Sequence, residues 1–81
     1  MPTLLTLFGI KFFFYSNDHE PIHIHIENAD GKAKFTIDTE VKLIENIGIK
    51  QKDIRLAEAI IEENKENFTR EWVDFFNQNR R

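Results

Sequence analysis

The sequence contains no cysteine, which excludes disulfide bonds, thiolate metal ligands and cysteine nucleophiles. A small domain that folds without disulfides suits a reducing cytosol, so we expect a cytoplasmic protein. Proline and glycine are scarce too, with two and three residues in a chain of 81. We find no internal repeat, linker or low-complexity tract, and this length predicts a single domain, residues 1–81.

The chain also lacks an excess of basic residues and a long hydrophobic run. Its formal net charge of −3 disfavours broad binding to nucleic acid, which needs clustered lysine and arginine. The apolar start, residues 1–8, has neither a basic n-region nor a small-residue cleavage site, so we expect no signal peptide. That stretch is too short to cross a bilayer, and we expect no membrane association.

Aromatic residues, by contrast, are plentiful: eight phenylalanines, one tryptophan and one tyrosine, and large rings let a small core bury more area per residue. Residues 8–15 are mostly aromatic and predict a first strand that is covered on both faces, with Gly9 as a bulge. Residues 22–27 and 32–38 alternate between apolar and polar side chains and predict two more strands, joined by a hairpin turn. Residues 1–38 therefore predict an antiparallel meander.

The second half of the chain changes from strand to helix periodicity. Residues 39–50 fit either a short strand or a helical turn capped by Gly48, and we favour an edge strand followed by a loop. Residues 51–79 predict helix, with Asn64 interrupting the apolar stripe and a bend at residues 67–69. We therefore predict an α+β fold in which three or four strands pack against one long or two short C-terminal helices.

The chemistry of the sequence is concentrated between His19 and Glu27. Because successive strand side chains alternate between faces, His23 and His25 project from one face and the intervening isoleucines from the other. Two imidazoles on one face can bind one transition metal ion, zinc or nickel, and His19 in the preceding turn would be the third ligand, with Asp18, Glu20 or Glu27 nearby.

Three other interpretations of the histidines stay open. The first is that the strand has one buried and one solvent-exposed face and nothing more, since histidine tolerates exposure to solvent well. The second is that this face contacts a partner protein, for which Trp72 and Phe76 offer a second apolar patch when they do not belong to the core; a homo-oligomer is a variant of it. The third is metal-independent acid–base chemistry, as in small ribonucleases, in which Tyr15 and Lys34 assist His19, His23 and His25. Activity in EDTA that is lost in His23→Ala would distinguish this last interpretation.

Residues 14–27, Phe-Tyr-Ser-Asn-Asp-His-Glu-Pro-Ile-His-Ile-His-Ile-Glu, resemble a family of short bacterial proteins known as domain of unknown function 4160. The resemblance extends from the opening Met-Pro-Thr to Trp72, and His-x-Pro-x-His-x-His is its specific part. Ile22 stands where the family has a second proline. The resemblance implies a bacterial protein with a small neighbour-encoded partner, because the family's genes often adjoin those of another small domain in a toxin–antitoxin-like arrangement. It implies no biochemical activity.

Overall fold

The structure is a computed structural model that describes residues 3–15, 18 and 21–78. Within these residues five strands precede two helices, in the order β1 (Thr3–Leu7), β2 (Ile10–Phe13), β3 (His23–Glu27), β4 (Lys32–Thr36), β5 (Lys42–Ile47), α1 (Gln51–Glu63) and α2 (Lys65–Gln78). Each strand pairs antiparallel with its neighbours in sequence. The predicted α+β meander with C-terminal helices is confirmed, with five strands instead of three or four.

The additional strand is β1, and a bulge explains why its sequence does not predict it. The register between β1 and β2 shifts between Thr3 and Leu5, which leaves Leu4 as an extra residue. Leu4 and Leu5 are consecutive, yet both pack against the core. A bulge interrupts the two-residue period of a strand, so the alternation that identifies β3 and β4 is missing here.

The turn between β1 and β2 consists of Phe8 and Gly9. Leu7 pairs with Ile10, and the two residues between them have positive φ angles of 53° and 75°, as a type I′ hairpin turn requires. The first predicted strand therefore begins two residues later than its aromatic composition indicates. Gly9 supplies the left-handed conformation of the turn and not a bulge within a strand.

One face of the sheet packs against both helices and forms the core. Ile24, Ile26 and Phe35 have no exposed surface, and burying such a side chain stabilises the fold by about 1.5–3 kcal/mol. The helices contribute the apolar stripe that the sequence predicts, namely Ile54, Ala57, Ile60, Ile61 and Phe68. The alternating isoleucines of β3 are thus fixed in the core, which leaves the histidines of β3 on the opposite face.

Asn64 separates the two helices. Its backbone N–H donates to the carbonyl oxygens of Ile60 and Ile61, and its side-chain amide donates to Ile60 at 2.8 Å. Its φ of −110° departs from helical geometry, so the bend lies here and not at residues 67–69. Neither described helix is long and apolar enough to cross a membrane.

Residues 39–50 contain the edge strand β5 and not a helical turn. All six residues of β5 are exposed, and the register against β4 shifts between Lys34 and Phe35. At the start of β4, a Cβ atom on Gly31 would overlap the carbonyl oxygen of Ile47. Glycine at this position therefore allows the β4 and β5 backbones to lie close together.

Candidate metal centre

His23 and His25 lie on the face of the sheet that the helices do not cover, which we call the histidine face. In the ladders, His25 is opposite Phe13 of β2 and Lys34 of β4, and His23 is opposite Thr36. Both histidine side chains are 15% exposed. They are therefore largely shielded, although they point away from the helices.

Asp18 joins the two histidines. One carboxylate oxygen, Oδ1, lies 3.2 Å from Nε2 of His23, and the other, Oδ2, lies 3.2 Å from Nε2 of His25. The carboxylate is held in place because Oδ2 also accepts the backbone N–H of Tyr15 at 2.8 Å, and the N–H of Asp18 donates to the Tyr15 carbonyl at 3.1 Å. Asp18, in the connection between β2 and β3, thus places its carboxylate in contact with both histidines.

The hydrogen bond at Nδ1 of His23 determines which nitrogen of the neutral ring carries the proton. Nδ1 of His23 lies 2.8 Å from the carbonyl oxygen of Pro21, and a carbonyl can only accept, so Nδ1 carries a proton. In the neutral ring Nε2 then presents a lone pair to the Asp18 carboxylate. Two acceptors at 3.2 Å repel each other unless a proton or a metal cation lies between them.

The distances among these three residues suit a transition metal ion. Their ligand atoms all lie within 4.8 Å of one another. Ligands of a tetrahedral zinc ion at about 2.0–2.1 Å are about 3.3–3.5 Å apart, close to the 3.2 Å between the carboxylate and each imidazole. Metal-binding histidines commonly donate their second N–H to a carbonyl, as His23 does. Three protein ligands also leave a fourth position for water or substrate.

Aromatic rings surround His25. The Phe13 ring stacks on it with centroids 5.5 Å apart, and the Tyr15 ring meets it edge-on at 4.6 Å. Burial lowers the pKa of His25, an effect that the Asp18 carboxylate opposes and that the charge of Lys34 reinforces, as does a proton on His23 when that ring carries one. A lowered pKa keeps His25 neutral at physiological pH, and only the neutral imidazole binds metal.

The structure brings together some of the predicted site residues and separates others. Tyr15 and Lys34 adjoin His25, so the described residues of the acid–base interpretation are close together as well. His19 lies outside the described residues, and its predicted role as a ligand stays a prediction. Trp72 and Phe76 belong to a separate aromatic cluster around Phe14, in which Trp72 is only 4% exposed. Contact of this cluster with a partner also stays a prediction.

A family model described as "Domain of unknown function (DUF4160)" matches residues 9–73. The matched segment is most of the chain, and it contains Asp18 and both histidines together with the strands and the first helix that position them. The comparisons with curated proteins and with solved structures found no match.

Proposed function

Since the chain belongs to the domain of unknown function 4160 family, whose description assigns no activity, we propose a function from the residues themselves. The protein binds one divalent transition metal ion, zinc or nickel, through Asp18, His23 and His25. Imidazole nitrogen and carboxylate oxygen are ligands that both metals accept. The sequence predicts His19, His23 and His25 as the ligands of this metal. Within the described residues, Asp18 is the third ligand beside His23 and His25.

The observation that carries the proposal is the pair of acceptors at His23. Its Nδ1 proton is committed to the Pro21 carbonyl at 2.8 Å, so in the neutral ring its Nε2 lone pair points at a carboxylate that is only 12% exposed. A cation between them converts this repulsion into two bonds. The second imidazole, His25, is kept neutral by its surroundings and completes the ligand set.

The test begins with elemental analysis of protein purified without a histidine tag, followed by calorimetric titration of EDTA-treated protein with zinc and with nickel. We expect one ion per chain. The His23→Ala and Asp18→Asn variants should weaken binding by at least about 100-fold, because each loses one of three ligands.

Asp38→Asn is the matched control for the Asp18 variant, since Asp38 is an exposed aspartate that, among the described residues, forms a hydrogen bond through its backbone N–H alone. It should bind metal as the wild type does. The proposal is wrong when the purified protein holds no metal and neither ion binds in the micromolar range, or when His23→Ala retains wild-type affinity.

The toxin–antitoxin-like role and metal-independent acid–base chemistry stay predictions. The toxin–antitoxin-like role requires a partner protein, and co-expression with the neighbour-encoded protein followed by co-purification tests it. Metal-independent acid–base chemistry would use His23 and His25 with Tyr15 and Lys34, which adjoin His25. We place metal binding first because the ligand atoms of Asp18, His23 and His25 all lie within 4.8 Å of one another.

A further inference from the structure

Three lysines surround His25 on the histidine face. Lys34 is directly opposite His25 across the β3–β4 ladder, while Lys11 and Lys32 are its diagonal neighbours on β2 and β4, opposite Glu27. Direct cross-strand neighbours have Cβ atoms about 4.5–5.5 Å apart and diagonal neighbours about 7–8 Å. A lysine side chain is long enough to bring its ammonium group to the metal centre from each of these positions.

The ammonium groups of these lysines have no direct ion pair with any described carboxylate. Within the part of the chain that the structure describes, none of the three lies within 4.0 Å of a carboxylate oxygen, whereas Lys50 does reach Asp30. The Nζ of Lys11 lies 5.6 Å from the centroid of the Phe13 ring, and that ring stacks on His25. The charge of Lys34 is felt at the His25 imidazole, where it disfavours protonation.

The charge of this face depends on the metal. The charged residues that the ladders of β2 to β5 place on this face are the lysines Lys11, Lys32, Lys34 and Lys42 and the carboxylates Glu27 and Glu45, and Asp18 adds a third carboxylate. With neutral histidines their formal charges leave one positive charge, and a divalent ion would raise this to three. The metal-loaded face would therefore attract an anion much more strongly than the metal-free face does.

We propose that the metal-loaded site binds the phosphoryl group of a small phosphate monoester, an inference that rests on the proposed metal-binding function. One phosphoryl oxygen occupies the open position of the metal, and a second accepts a hydrogen bond from Lys34. A doubly charged group with several acceptor oxygens suits a cation flanked by ammonium groups. An extended nucleic acid fits less well, because the whole chain carries a net charge of −3 and the basic surface is small.

Phenyl phosphate is the probe, and full-length protein is titrated with it in three forms: metal-free, zinc-loaded and cobalt-loaded. We expect calorimetric binding to the zinc-loaded protein and weaker or no binding to the metal-free protein. The visible spectrum of the cobalt-loaded protein should change on titration, because the phosphoryl oxygen enters the coordination sphere. Lys34→Gln should weaken phenyl phosphate binding by about tenfold, as expected for loss of a charged hydrogen-bond donor, while the variant still binds one zinc ion per chain.

Lys52→Gln is the matched control, because Lys52 is an exposed lysine on α1; it should bind phenyl phosphate as the wild type does. The proposal is overturned when the metal binds but phenyl phosphate does not, when metal-free and metal-loaded proteins bind it equally, or when Lys34→Gln is unchanged. Tighter binding of a single-stranded oligonucleotide at the same salt concentration would also overturn it. Failure of the proposed function itself is distinguished from these results by the direct titration with zinc.

Discussion

Asp18 adds a third candidate metal ligand to the two neighbouring histidines. Its carboxylate accepts a backbone N–H from Tyr15 and contacts the Nε2 atoms of His23 and His25. The alternation of β3 predicts that the two histidines share a face, because that follows from strand geometry. It does not predict where a residue in the preceding connection lies. The sequence feature that points to Asp18 is its residue type, since it is a carboxylate close in sequence to two imidazoles.

His25 gives a prediction about pH at this scale. Burial lowers its pKa in the folded protein, so below about pH 6.5 the unfolded chain binds a proton at this histidine more readily than the folded chain does. The free energy of unfolding should therefore decrease as the pH falls from about 7.5 to about 5.5. The contribution of His25 is complete above its unfolded pKa and is lost as the pH falls towards its folded pKa.

Urea denaturation in the presence of EDTA, repeated across this pH range, measures the effect. Other groups also titrate there, so the informative quantity is the difference between the wild type and His25→Gln. The variant should show a shallower decrease in unfolding free energy. Equal slopes for the two proteins would contradict the assignment of a lowered pKa to His25.

At the scale of elements, the sequence predicts β3 and β4 because in each a buried apolar face alternates with a polar, less buried face. It predicts the helices from their apolar spacing, and the break between them falls at Asn64. The sequence does not predict β1, because a bulge at Leu4 and a turn at Phe8 interrupt its periodicity. Regular elements are thus readable from local patterns, whereas bulges and turns depend on the strand that lies alongside.

The contact between β4 and β5 gives a prediction for Gly31. A Cβ atom there would overlap the backbone carbonyl oxygen of Ile47, and backbone atoms cannot move aside as a flexible side chain can. We expect Gly31→Ala to destabilise the protein by about 1–3 kcal/mol, measured by urea denaturation. Gly9→Asn is the control: it has open space around it, asparagine tolerates its positive φ, and it should cost less than about 1 kcal/mol. Equal losses for the two variants would mean that the close approach is not what requires Gly31.

At the scale of the molecule, one core joins the sheet to both helices. A single cluster contains Phe12 of β2, Phe35 of β4, Ile61 of α1 and Phe68 of α2. Phe12 and Phe68 are in ring contact at 6.0 Å, so α2 packs directly on the sheet. No part of this core can be exposed without removing contacts from the others, which favours cooperative unfolding.

We therefore expect a single two-state transition in urea. Trp72 is the only tryptophan in the sequence and lies in α2 against Phe14, so its fluorescence reports on packing between the helix and the end of β2. Far-ultraviolet circular dichroism reports on the whole backbone. The two transitions should coincide, and a fluorescence change at lower urea than the loss of circular dichroism would show that α2 separates first.

The three proposed metal ligands lie between Asp18 and His25, a span of eight residues. Closing so short a loop costs little entropy, and so, when these residues do bind the ion, we expect an unfolded or newly synthesised chain to retain appreciable affinity for it. An ion that binds both states stabilises the folded one only by the difference between its two affinities. The rise in melting temperature on adding metal will consequently understate how tightly the folded protein holds it.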